Sequence, residues 1–92
     1  MEQLRVLVTN QVGLHARPAA LFVRTANRFK SKIRVRNITT DSKWADAKSI
    51  LSVLALGVEK DYEIELTAEG PDESEAVAMI GELIRRDFAA DA

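Results

Sequence analysis

A chain of 92 residues can hold one compact domain and is too short for a second independent core. Hydrophobic residues make up 47% and charged residues 29%, a globular balance that excludes a disordered or fibrous chain. A formal net charge of −1 excludes the domain-wide positive field of non-specific nucleic-acid binding, and the lack of cysteine excludes disulfides and thiolate metal sites.

The opening residues Met1 to Arg5 have neither the basic start nor the apolar run of a secretion signal. No apolar stretch approaches the roughly 18 residues of a membrane span. The expectation is a cytoplasmic protein with no membrane association. Charge is nevertheless uneven. Arg17, Arg24, Arg28, Lys30, Lys32, Arg34 and Arg36 follow one another with no acid between them, whereas Glu59 to Glu82 is rich in carboxylates. Such a surface suits an acidic partner or a bound anion, and it also suits ordinary solvated faces.

Leu4, Val6 and Val8 alternate with polar neighbours, the period of a strand with one buried face. Asn10-Gln11-Val12-Gly13 breaks it as a turn. Phe22, Ala26 and Phe29 then recur at helical spacing from Pro18 onward, and proline suits a first helical turn because its missing N–H costs nothing there. Lys32 to Arg36 alternates again, with Ile33 and Val35 inward and three cations outward, until Asn37 breaks the phase.

Ile38 to Asp46 reads as a loop or hairpin leading into a short third strand. Ser49 precedes a short apolar helix, Ile50 to Leu56, closed by Gly57, and the serine hydroxyl suits its N-cap. Five large aliphatic residues in two turns cannot all face one core, so some of them should be exposed. Tyr62, Ile64, Leu66 and Ala68 define the clearest strand, and Gly70-Pro71 turns the chain. A last helix follows, with Asp72 and Glu75 as a capping box, Val77, Ile80 and Ile84 as its apolar stripe, and Arg85 and Arg86 at its C-terminus.

The order β-α-β-β-α-β-α, with strands solvated on one face, predicts a single α+β domain over residues 1–92. In it a four-stranded antiparallel sheet carries three helices on one side, an open two-layer sandwich.

His15 is the only histidine and lies between the glycine turn and the first helix, in Gly13-Leu14-His15-Ala16-Arg17-Pro18. A helix N-terminus offers unpaired N–H groups and a positive dipole end, so a phosphoryl group on the imidazole would meet donors from Ala16 and Arg17. The Arg17 guanidinium adds a planar fork suited to phosphate oxygens. Imidazole is itself a competent nucleophile near neutral pH. By residue type alone, His15 fits a plain surface or cap position equally well. Metal binding is disfavoured because only carboxylates could complete a ligand set. No Walker-type phosphate loop occurs, and no cofactor is implied.

The run Gly13-Leu14-His15-Ala16-Arg17-Pro18-Ala19-Ala20 closely resembles the active-site signature of the HPr family, the histidine-containing phosphocarriers of the bacterial sugar phosphotransferase system. Ala47-Lys48-Ser49-Ile50-Leu51 with Leu56-Gly57 is similar to that family's regulatory serine segment, and Ile64 to Gly70 with the helix after it is similar to its C-terminal half. The resemblance covers nearly the whole chain. It implies that His15 takes a phosphoryl group on Nδ1 from enzyme I, the phosphoryl coming from phosphoenolpyruvate, and passes it to IIA domains of sugar permeases. It also implies phosphorylation of Ser49 by HPr kinase/phosphorylase, and docking of partners on Ala20, Arg24, Lys48, Ile50, Leu51 and Leu54 beside Arg17.

Compared with the family, the spacing from His15 to Ser49 is a few residues long, with the extra length around Thr40 to Trp44, and Val12 stands where many relatives carry a small polar residue. No dimerisation seam is visible, so a monomer is expected. Two other readings stand beside the phosphocarrier. One is an HPr-like regulatory module of a nitrogen-type or transporter-less phosphorelay. The other is a small RNA-binding domain, for which the strands lack a stacking aromatic pair.

Overall fold

The computed structural model describes residues 1–89. Its elements are β1 (Glu2–Val8), α1 (Ala16–Ala26), β2 (Lys32–Asn37), β3 (Ala45–Asp46), α2 (Ile50–Ala55), β4 (Tyr62–Glu69) and α3 (Glu73–Arg85). The four strands form one antiparallel sheet in the order β1-β4-β2-β3. Register follows the apolar alternation: Val6 faces Ile64 and Leu4 faces Leu66 across β1 and β4, while Val35 faces Leu66 and Ile33 faces Ala68 across β2 and β4. A slip of one residue would send each of these rows to solvent, so burial fixes the pairing. The α+β order and architecture read from the sequence are those observed.

The helices share the face these rows occupy. Phe22 of α1, Val53 of α2 and Ile80 and Ile84 of α3 are fully buried against Val8, Ile33, Val35, Ile64 and Leu66. Each such side chain contributes about 1.5–3 kcal/mol by leaving water. The other face of the sheet stays solvated and is held by charge. Arg36 of β2 pairs with Glu65 of β4 at 3.0 Å and, at 3.4 Å, with Asp41 of the following loop. No helix among the described residues is long and apolar enough to cross a membrane.

Local details depart from the periodicity. Helix α1 begins at Ala16 rather than Pro18, which places the proline third in the first turn, and it ends at Ala26, leaving half-buried Phe29 in the turn beyond. Asn37 does not break the phase of β2 but completes it as a fully buried residue. Its amide donates to the Leu56 carbonyl at 2.9 Å, its side-chain oxygen accepts from the Thr40 N–H at 3.2 Å, and its own N–H reaches the Ser42 hydroxyl at 2.9 Å. The long loop is thus wound around a satisfied buried amide, an arrangement that periodicity cannot reveal because asparagine usually marks a turn.

The capping box at α3 is not formed. Asp72 is the N-cap, but its carboxylate accepts from the Lys30 N–H (2.9 Å), the Ser31 N–H (2.9 Å) and the Ser31 hydroxyl (2.5 Å) at the start of β2. Glu73, not Glu75, reaches back, accepting from the Gly70 N–H at 3.0 Å. Three donors across the fold outcompete the helix's own N–H groups for Asp72. They hold its pKa at about 2, well below the usual carboxylate range, with the Ser31 hydroxyl as the main cause.

Candidate functional site

The segment joining β1 to α1 is folded tightly around Gly13. The Gly13 N–H donates to the Asn10 carbonyl at 3.2 Å, and the Asn10 side-chain amide donates back to the Gly13 carbonyl at 2.8 Å. Gly13 has φ +62°, and a side chain there would meet the Val58 carbonyl oxygen at 2.3 Å, so both the left-handed backbone and the close approach require glycine. The next residue, Leu14, donates its N–H to that same Val58 carbonyl at 2.9 Å and buries its side chain in the core. A core anchor and a backbone bridge therefore stand immediately before His15.

His15 is the N-cap of α1, with extended backbone (φ −91°, ψ −168°), and its carbonyl accepts from the Ala19 N–H at 2.8 Å. Its side chain is exposed and makes no capping hydrogen bond. Ala16 and Arg17 are the first two helical residues, both exposed, and no acid lies in this first turn to oppose an incoming anion. His15 and Arg17 border a cleft of about 580 Å³, whose other walls include Gln11, Val12, Glu59, Lys60 and Tyr62.

Glu59, Lys60 and Tyr62 were not legible as site residues. They arrive because the strand before and the strand after are paired: the Asp61 N–H donates to the Val8 carbonyl at 2.6 Å, closing the end of the β1–β4 ladder beside the histidine loop. Nothing local to residues 58–62 signals a neighbour more than forty positions away.

Ser49 is the N-cap of α2, as its position suggests, and its hydroxyl accepts from the Ser52 N–H through a long 3.4 Å contact. In α2 only Val53 is buried; Ile50 and Leu54 are exposed and Leu51 is 77% exposed. Helices α1 and α2 touch, and on α1 Ala20 and Arg24 are exposed. Lys48 is placed differently from its neighbours. Its ammonium donates to the Phe29 carbonyl at 2.7 Å and its carbonyl accepts from the Asn27 amide at 3.2 Å, so it ties the end of α1 to the start of α2.

Comparison with known proteins decides the family. The family model described as the PTS HPr component phosphorylation site matches residues 3–86. The chain belongs to the HPr family. Its fold is similar to that of HPr-C-His from Thermoanaerobacter tengcongensis, with 44% identity, 96% of both chains covered and a TM-score of 0.90. It is also similar to the phosphocarrier protein HPr from Bacillus anthracis, with 40% identity, 90% of this chain and 95% of that one covered, and a TM-score of 0.84.

A third relative is Crh of Bacillus subtilis, described as a swapped, intertwined dimer, at 40% identity, 95% and 97% coverage and a TM-score of 0.72. Among curated relatives, the multiphosphoryl transfer proteins of Vibrio cholerae and Salmonella typhimurium are 45% and 41% identical over 74 and 78 residues. The matched region takes in 80% and 85% of this chain but only 18% and 21% of those proteins' length. The HPr-family unit is thus one part of those larger relatives.

Proposed function

We propose that this HPr-family chain carries a phosphoryl group on His15, receiving it from enzyme I and delivering it to IIA domains of sugar permeases. The lone pair of the neutral imidazole attacks phosphorus at Nδ1. A nitrogen–phosphorus bond forms as the bond from phosphorus to the donor breaks, and the donor keeps that electron pair. The second transfer is the same exchange run towards the acceptor. The N–H groups of Ala16 and Arg17, the positive end of α1 and the Arg17 fork stabilise the negative oxygens throughout.

The observation that supports this best is the state of His15: an exposed imidazole, not used for capping, at the start of an eleven-residue helix and fixed by the Leu14–Val58 bridge. A nucleophile that passes between two proteins must be accessible to both and positioned by its backbone. The exposed aliphatic side chains Ile50, Leu51 and Leu54, with Ala20 and Arg24 on the adjoining helix, supply the docking face for those partners; Lys48 contributes by holding the two helices together. Ser49 is the acceptor for HPr kinase/phosphorylase where that enzyme is present, since the N-terminus of α2 tolerates an added anion. The carrier acts as a cytoplasmic monomer.

Incubation with enzyme I and phosphoenolpyruvate, followed by mapping of acid-labile phosphate, tests this reading. Label on His15 is expected, with complete loss in His15→Ala and an unchanged circular-dichroism spectrum. Phosphate retained by His15→Ala would overturn it.

A further inference from the structure

The run of cations between Arg17 and Arg36 is only partly explained by the histidine site. Arg17 lines the His15 cleft, Arg24 lies on the proposed docking face, and Arg36 is paired with Glu65 and Asp41. Lys30, Lys32 and Arg34 belong to none of these, and among the described residues they form no ion pair with a carboxylate. Lys32 and Arg34 flank buried Ile33 in β2 and so leave the strand on one side, while Lys30 lies in the bend just before it, where its N–H and that of Ser31 both turn to Asp72.

These three residues line a groove of about 560 Å³ at the β2–β3 edge, together with Trp44, Asp46 and Lys48. The groove exists because β3 is so short. After the Ala47 N–H reaches the Ile33 carbonyl at 3.0 Å, the chain leaves β2 towards α2 and uncovers the first half of the strand. Trp44 closes the far end. The residue is 43% exposed, yet its ring is braced by the Arg36 guanidinium 5.3 Å from the centroid, and that guanidinium is itself held by Glu65.

The groove is not free of acid: Asp46 stands opposite Arg34 across β2 and β3 without an ion pair to it, and accepts from the Lys48 N–H at 2.9 Å, while the Lys48 ammonium is committed to the Phe29 carbonyl. Glu69 borders the row on its other side, opposite Lys32 on β4. At roughly 3.3 Å per residue, Lys32 lies about 13 Å from the level of Arg36, where the indole stacks.

We propose that this groove binds a nucleoside di- or triphosphate, with the base against the Trp44 indole and the phosphates along Lys30, Lys32 and Arg34. An aromatic wall takes a base by stacking without regard to its identity, and a row of cations takes a chain of phosphates. The volume falls within the range of small-molecule sites. Arg34 lies about 7 Å from the level of the indole and Lys32 about 13 Å, so the cations form a row that a nucleoside needs more than one phosphate to follow along its length. The site lies outside the His15 cleft and involves no transfer chemistry, so its occupancy is independent of the proposed carrier function.

Trp44 is the only tryptophan, so its fluorescence reports on this groove alone. ADP titrated into the protein at low salt, with amide shifts followed in parallel, should quench that emission saturably and move the resonances of residues 30–34 and 44–48. The double variant Lys32→Gln/Arg34→Gln should bind about tenfold more weakly or worse, since even one lost charge-assisted contact is worth about that factor. It should still accept phosphate at His15. Adenosine should bind far more weakly than ADP, and inorganic pyrophosphate should move the Lys30–Arg34 amides with little quenching.

The proposal is overturned if ADP gives no saturable change up to about 10 mM. It is equally overturned if the shifts centre on His15, or if the double variant binds as the parent does. Binding of a single-stranded oligonucleotide without binding of ADP would overturn it in favour of a nucleic-acid surface.

Discussion

Gly13 and Gly57 offer a paired test of how the histidine is positioned, because both have φ +62° while their surroundings differ. A Cβ at Gly57 meets nothing within 4 Å, whereas at Gly13 it lies 2.3 Å from the Val58 oxygen and 2.6 Å from the Glu59 Cα. Alanine at either position bears the cost of left-handed backbone, about 1–2 kcal/mol. At Gly13 the overlap is with main-chain atoms that cannot rotate aside, adding about 1–3 kcal/mol. If the loop withdraws to relieve it, the Leu14–Val58 hydrogen bond is lost, about 1 kcal/mol more. Gly13→Ala should therefore destabilise the domain by about 2 kcal/mol or more beyond Gly57→Ala, on the order of 8–16 °C in Tm for a domain this size. Urea unfolding of the two variants measures the difference. Phosphoryl acceptance should fall in Gly13→Ala alone, because only that loop carries His15. Equal stability losses within about 0.5 kcal/mol would refute the close approach as the device that holds the site.

Arg17→Lys should slow phosphoryl transfer more than it weakens association with enzyme I, because a point charge cannot replace a planar fork; equal losses in quench-flow and binding measurements would assign Arg17 to docking. Asp72 predicts an acid-sensitive component of stability. Its pKa is depressed to about 2 in the folded protein, so its contribution is complete above the ordinary carboxylate pKa and is lost as pH falls towards 2. Melting curves between pH 5 and pH 2 should fall steeply for the parent, and Asp72→Asn should be less stable at neutral pH with a flatter decline. Ser49→Asp should weaken association with enzyme I while leaving Tm nearly unchanged, since the N-terminus of α2 accepts an anion and Leu51 beside it must be desolvated on docking. Unchanged affinity in both Ser49→Asp and Leu51→Ala would remove α2 from the docking face.

The elements that could be read from the sequence are those whose signal is local. The alternation through Tyr62 to Ala68 and the stripe of Val77, Ile80 and Ile84 set a period, and burial follows period directly. The glycine turn and Pro18 likewise put His15 at a helix start, where it stands as the N-cap of α1. What could not be read depends on partners far along the chain. Asp72 looks like a helix cap until Ser31 and Lys30, some forty residues earlier, are brought beside it and take its carboxylate. Asn37 looks like a break until the Leu56 carbonyl arrives to satisfy it. Lys48 reads as a surface cation until Phe29 presents a carbonyl to it. In each case a polar side chain with two plausible uses is assigned by tertiary geometry, on which composition is silent.

The same division explains how the site joins precision to freedom. The imidazole itself bears no structural duty: the position of His15 is set by the backbone on either side, through Leu14 bound to Val58 and through the Ala19 N–H on the His15 carbonyl. A residue held by its main chain can gain and lose a phosphoryl group without disturbing the bonds that hold it, so chemistry at the ring need not cost stability. The burden passes to Gly13 and Leu14, which are buried and tolerate little change. Exchanging the histidine should therefore abolish transfer and spare the fold, whereas crowding the glycine two positions earlier should damage both, and that asymmetry separates a group that reacts from one that positions it.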